Sequence, residues 1–592
     1  MKRTISLFCI ILAAMAVADT PGDWLTHAER TSFQETGRYD EAIAFCKKLA
    51  SASPWVHYSA FGQSPEGRDL PLLIISREKL FTPEAARKAN RQVILIINGI
   101  HPGEIGGKDA SFMMLREMVI TKKLESTLNN LVLLVVPIFS VDGHERFGPY
   151  NRINQNGPKE MGWRTTSVNL NLNRDWMKAD QAEMRSMLKL YTTWLPNFTI
   201  DNHVSDGADF QYDVTYIVQR EPMMDSGIAK YWQEKLEPAL VESLTKTGHK
   251  AAPYFEMVDD RDPAAGISHF LAYPRFTDGY ATTQNRLGMT VETHMLKPYD
   301  IQVRAHYDLM ISALQELDRS GEQLRSAELK ADEETKALNS REVPIHFKLN
   351  REKSSETFRF RGLEYKHELS PLSGTVRIIY GKEPFELDVP WYRTIEVEHS
   401  VSAPFGYLIP RQFTDVIDRL QAHNIELSQI TAPVKSNFEI YRFQNVTWPS
   451  EPFEGRHSPS YEVTKSVEER TITAGSVLVR LNQRSNRIIM GLLEPQSPDS
   501  FVAWGFFNAI FEQKEYAEPY IMETLAEEML KKNPELKKEF EQKLKSDPKF
   551  AAAPEARLHF FYQRSPYRDL YKDAYPVVRI TDESFLQRIP LR

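Results

Sequence analysis

The chain has 592 residues, 42% of them hydrophobic and 26% charged, with a formal net charge of −7. That is the make-up of a globular protein of about two to four domains. It excludes a largely disordered chain, a collagen-like repeat and a polytopic membrane protein, and the acidic balance argues against a nucleic-acid partner.

At the N-terminus, Lys2 and Arg3 precede an apolar run, 5–15, that ends in Ala16-Val17-Ala18. A positive start, a short apolar stretch and an A-x-A site spell a secretory signal peptide, 1–18, cleaved after Ala18. The mature protein is then expected to be secreted or periplasmic, without stable membrane insertion. The chain has two cysteines, too few for a disulfide scaffold. Cys9 leaves with the signal, and Cys46, in a helical pattern over 41–49, reads as a buried apolar residue rather than a nucleophile.

Further along, 93–97 (VILII) and 131–137 (LVLLVVP) are continuous apolar runs of the kind found in buried strands. Residues 198–201 and 289–292 are shorter candidates. Helical patterns at 104–123, 179–195, 225–247 and 299–325 alternate with them, which argues for an α/β domain over 25–330. The charged stretch 321–342 reads as a helix end and linker. Alternation at 344–400 predicts a β-rich domain, 340–435. A mixed α/β region, 436–592, combines a strand at 475–480 with charged helices near 518–547; 489–495 and 504–507 read as core segments.

Chemistry-bearing residues fall where the apolar runs stop. After 93–97 comes Asn98-Gly-Ile-His101-Pro-Gly-Glu104-Ile-Gly-Gly107. In α/β sheets ligands bind at the carboxyl ends of strands, and imidazole with carboxylate suits Zn²⁺. With 15 histidines, about one H-x-x-E is expected by chance. A second copy, His423-Asn-Ile-Glu426, has no glycines and no strand before it and reads as a solvated helix end. His203 closes the run after Asp201 and supplies a third ligand, with Asp201 as its hydrogen-bond partner. Three ligands leave one position open for water, the pattern of a catalytic zinc site. Arg164 and Arg174 stand ten apart in an Asn-rich stretch and suit an anion or oxyanion. Glu292 closes the run 289–292; burial there raises its pKa toward the range a general base or acid needs.

These segments, in this order, resemble the zinc carboxypeptidase family, peptidase family M14, over 28–330. Val141-Asp142-Gly143 stands where the family has N-P-D-G, with Ser140-Val141 replacing Asn-Pro. The resemblance implies a mixed twisted sheet flanked by helices and one Zn²⁺ ion on His101, Glu104 and His203. It implies Glu292 as the catalytic glutamate and Arg164 as the oxyanion arginine, with Arg152 the rival. Asn173 and Arg174 would bind the free C-terminal carboxylate of a peptide substrate. The family's substrate-binding tyrosine is Tyr273 or Tyr280, Tyr280 being preferred because 276–280 reads as a loop. No residue is assigned to the specificity pocket. The activity implied is hydrolysis of C-terminal residues from peptides. Two alternatives stay open: a related metal-dependent amidase or deacylase on cell-wall peptides or acyl-amino acids, and a catalytically weak binding protein acting through 340–592. That last part resembles the C-terminal extensions of long bacterial members.

Overall fold

The apolar runs become the centre of an eight-stranded sheet in the computed structural model, which describes residues 21–352 and 356–592. The segment 1–18, expected to be a signal peptide, lies outside the described residues. In chain order the strands of the first half are β1 (Val56–Gln63), β2 (Asp69–Ile75), β3 (Gln92–Asn98), β4 (Leu131–Val136), β5 (Phe198–Val204), β6 (Val214–Ile217), β7 (Ala251–Pro253), β8 (Glu256–Met257), β9 (Ile267–Ser268) and β10 (Leu287–Thr293). The sheet runs β1-β2-β4-β3-β5-β10-β6-β7. Its middle four strands, β4, β3, β5 and β10, are parallel, while β1, β2 and β6 pair antiparallel. This is the mixed sheet flanked by helices that the sequence led us to expect.

Alternate side chains of one strand feed two different cores. Ile94 and Ile96 join Met114, Met118 and Leu309 beneath the helices Gly106–Val119 and Tyr299–Lys336. Val93, Leu95 and Ile97 join Met184, Met187 and Leu188 beneath the helix Ala182–Trp194. The period of two explains why these strands read as unbroken apolar runs, since both faces are covered. Each such side chain contributes about 1.5–3 kcal/mol. Cys46 sits fully buried in the helix Tyr39–Ala52, and burial pushes its thiol far above the usual range, so it packs and does not react.

The charged stretch 321–342 is not a linker up to residue 336: the helix Tyr299–Lys336 runs straight through it. Its inward charges have fixed partners. Asn197 Nδ2 donates to Glu328 (2.6 Å), and Arg286 pairs with Asp332 (2.8 Å). A charged helix with one satisfied buried face looks in sequence like a solvated connector.

Beyond it, β11 (Glu342–Leu349) pairs with β14 (Ile395–Ser402), while β12 (Glu356–Leu369) and β13 (Val376–Tyr392) form a long hairpin. The end of β13 pairs with β9, so this β-rich part is stitched to the first half. A six-stranded sheet follows: β15 (Gly406–Ile409), β16 (Ser428–Gln429), β17 (Val434–Thr447), β18 (Ser460–Ile472), β19 (Val477–Arg480) and β20 (Val578–Ile580), in the order β16-β19-β15-β20-β17-β18. It draws strands from both sides of the expected boundary at 435. The helix Asn486–Leu493 and Trp504 are buried, as their sequence suggested. Ile488, Ile489 and Phe501 continue the core of Met184 and Leu188 without a break, so the C-terminal region packs directly on the first half. Among the described residues no helix is long and apolar enough to cross a membrane.

One buried acid gives a pH-dependent stability. Both oxygens of Glu183 are buried without a partner, and burial raises its carboxyl to about 7. Such a group stabilises the fold below its unfolded pKa, and that contribution is lost as pH rises from about 4.5 through 7. Glu183→Gln is therefore expected to match the parent at pH 4 and to exceed it by up to about 3 kcal/mol at pH 8. Urea unfolding at the two pH values checks this; equal stability at pH 8 would contradict it.

Candidate active site

Three parallel strands end side by side, and each delivers a functional residue. Register pairs Glu292 of β10 with His203 of β5, and Asn202 of β5 with Asn98 of β3. Gly99 turns the chain at φ +64°, and His101 and Glu104 follow before the helix at Gly106. Gly107 lets that helix approach the strands: a Cβ there would lie 2.4 Å from Asn202 and 2.5 Å from Asn98.

His101, Glu104 and His203 converge, with ligand atoms within 4.8 Å of one another and all three residues buried. Both histidines turn Nδ1 inward, 3.2 and 2.9 Å from Glu104 Oε2. The outer ring nitrogens are committed elsewhere. His101 Nε2–H donates to Asn171 Oδ1 (3.0 Å), and His203 Nε2 lies 3.0 Å from Asp201 Oδ2. Asn171 Oδ1 also accepts from the Asn173 backbone N–H (2.8 Å), which fixes its amide as an acceptor and so fixes the His101 tautomer. Burial keeps His101 neutral, with its pKa lowered to about 4. Burial opposes charge on His203, yet Asp201, Glu104 and Glu292 pull its pKa well above the ordinary value. Burial also opposes charge on Glu104, but Arg152 and His101 hold it well below the usual carboxylate range. Two inward imidazoles and an ionised carboxylate fit a zinc ion.

The cavity around them, about 200 Å³, also takes Arg152, Arg164, Asn173, Arg174 and Glu292. Arg152 bonds to Glu104 Oε1, and Arg164 Nη1 reaches the same oxygen at 3.3 Å. The sequence's preferred arginine and its rival thus stand together. Arg164 is the more exposed, on a loop pinned by Asp142, which accepts from Ser64 (2.8 Å) and Ser167 (3.1 Å). Asn173 Oδ1 accepts from Thr277 N–H (3.1 Å), and Thr277 Oγ1 bonds on to Asp201. Arg174 lies 4.2 Å over the Phe276 ring and donates to the Asn173 carbonyl (2.7 Å). It has no carboxylate partner among the described residues. Burial, then the charge of Arg164, lowers its pKa to about 10. Burial raises Glu292 to about 8, against the pull of His203, and its Oε2 is buried without a partner.

Tyr280 is a correction. It lies in the helix Thr277–Thr283, fully buried among Trp176 and Tyr191, and its hydroxyl meets His423 Nδ1 (2.9 Å). Tyr273 donates to the Phe347 carbonyl (2.9 Å) and also turns away from the cavity. Tyr254 is the tyrosine that lines it, close enough to Asp206 and Glu292 for their charges, after burial, to raise its pKa. His423 is a second correction: it is buried rather than solvated, with Nε2 against the Met177 carbonyl (2.9 Å), while Glu426 is exposed. Sequence reading missed Asn171, Thr277 and Tyr254. The alternation Asn169-Leu-Asn171-Leu-Asn173 carried a signal for Asn171, since alternate residues of an extended segment share a face.

A convergent ligand triad, an unpartnered acid and a set of arginines define a zinc-dependent hydrolase of the metallopeptidase class. Residues 42–195 match the model of the family described as "Zinc carboxypeptidase". Carboxypeptidase 2 of Trichophyton rubrum is similar to the chain at 22% identity over 493 residues, covering 79% of this chain and 83% of that protein. Probable carboxypeptidase 2 of Arthroderma benhamiae aligns at 21%, covering 78% and 84%. Among solved structures, the metallo-carboxypeptidase of Burkholderia cenocepacia aligns with a TM-score of 0.35 at 15% identity, covering 48% of this chain and 69% of that one. The carboxypeptidase A of Helicoverpa armigera gives 0.35 at 16%, covering 52% and 80%. The chain is similar to the zinc carboxypeptidase family over residues 42–195. The family match stops at residue 195, before His203 and Glu292, which the fold brings to the same cavity.

Proposed function

We propose that the chain removes C-terminal residues from peptides with a free carboxylate, with one zinc ion held by His101, Glu104 and His203. The observation that carries this reading is Arg174, a cation without a carboxylate partner in the cavity of the three ligands. Its planar fork, steadied on Phe276 and beside Asn173, suits a terminal carboxylate. When bound, the ion supplies Lewis acidity, polarising the scissile carbonyl and acidifying water. Glu292 takes the proton of the attacking water and passes it to the leaving amine; burial keeps its proton affinity near neutral, where a general base works best. Arg164, with Arg152 beside it, offers donors to the oxyanion that develops on the substrate. The segment 1–18 supports export, with cleavage after Ala18.

Metal removal tests this reading. Dialysis against a chelator is expected to abolish peptide hydrolysis, and one equivalent of Zn²⁺ to restore it. Hydrolysis that survives the chelator would contradict the metal's role.

A further inference from the structure

The centre receives a residue from far along the chain. Phe453 and Arg456 close a two-residue hairpin turn through reciprocal backbone bonds of 2.9 and 3.0 Å. Its central residues, Glu454 and Gly455, have φ of +50° and +74°. Both values are positive, as such a turn requires, and Asn, Asp or Gly is the usual first residue. A glutamate there is strained, and strain of this kind persists where the surroundings over-determine it. Gly455 belongs at its place for a second reason, because a Cβ would lie 3.2 Å from Leu170.

Both shoulders of the turn are anchored. Phe453 stacks on Trp504 with centroids 6.0 Å apart, and Arg456 forms a fork to Asp180 at 2.7 and 2.6 Å. The tip then meets the catalytic loop: the buried Asn171 N–H donates to Glu454 Oε2 (2.8 Å). Asn171 caps the turn Leu172–Arg174 and orients His101 through Oδ1. One residue therefore couples a metal ligand to the Asn173–Arg174 pair, and Glu454 holds that residue.

We propose that Glu454, supplied by the C-terminal region, is a positioning residue for the catalytic centre, acting through Asn171 on His101 and on the Asn173–Arg174 turn. This rests on His101 being a zinc ligand, and it gives 436–592 a part in building the site.

The test uses the full chain with Glu454→Asn and Glu454→Gln. Asn relaxes the backbone at positive φ but is one methylene too short to reach Asn171. Gln keeps an acceptor at the same reach. Zinc affinity by chelator competition, kcat and KM for a free-carboxylate peptide, and the unfolding midpoint are measured. For Glu454→Asn the midpoint is expected to stay or rise, while zinc Kd increases about tenfold and KM about threefold or more. Glu454→Gln is expected to stay within about twofold of the parent in all three, as an acceptor at the same reach predicts. A Glu454→Asn variant with parental zinc affinity and KM overturns the proposal, as does a loss that merely follows a lowered midpoint. Zinc affinity is read without substrate, so failure here is distinguishable from failure of the peptidase reading.

Discussion

Glu292→Gln is expected to lower kcat by about 10²- to 10⁴-fold while leaving zinc content and KM near the parental values. The amide keeps the shape of the side chain at the end of β10 but can neither accept nor return a proton. Little else depends on this carboxylate, because its Oε2 is buried without a partner and the neighbouring strand register is set by backbone pairing. The exchange breaks no hydrogen bond at Oε2. Burial holds an acid near pH 8 at this place, so the neutral amide suits the surroundings at least as well. Steady-state kinetics with metal analysis of the same sample decides the matter. A variant keeping more than about a tenth of parental kcat would remove Glu292 from proton transfer.

Arg174→Ala carries the second large effect, and it falls on binding. A half-buried guanidinium that meets a carboxylate out of bulk water is worth about 2–5 kcal/mol when truncated, because the anion is left unpaired. That corresponds to about 30- to 4,000-fold in kcat/KM, appearing chiefly as a higher KM. Arg174→Lys restores the charge without the fork and is expected to recover only part of the loss. Unchanged KM for a free-carboxylate peptide in Arg174→Ala would mean that the carboxylate binds elsewhere in the cavity.

The convergence of His101, Glu104, His203 and Glu292 was legible because each follows an apolar run, and in a parallel sheet such runs end at one edge. Register then brings His203 level with Glu292 although 88 residues separate them. The arginines were legible as a pair, not as individuals: Arg152 and Arg164 reach one oxygen of Glu104 from different parts of the same long loop, a fact of tertiary structure. The tyrosine was not legible. A phenol that packs, such as Tyr280, and one that lines a cavity, such as Tyr254, have the same local pattern, and only burial separates them. His423 misled for a related reason. Its partners, Met177 and Tyr280, lie more than 100 residues away, so nothing nearby announced that it was buried. The helix through 321–336 hid behind charges whose partners, Asn197 and Arg286, belong to other elements. Glu454 was invisible for the same reason, since its importance lies in Asn171, 283 positions earlier.

The central claim is hydrolysis at a free C-terminus, and a pair of peptides tests it most directly. The purified protein is incubated with two peptides of one sequence, one ending in a carboxylate and one amidated, each with and without chelator, and the products are weighed by mass spectrometry. The expected result is loss of the last residue from the free peptide only, stopped by the chelator. Cleavage of both peptides would contradict the claim and point to an amidase or endopeptidase, a site in which Arg174 does not read the terminus.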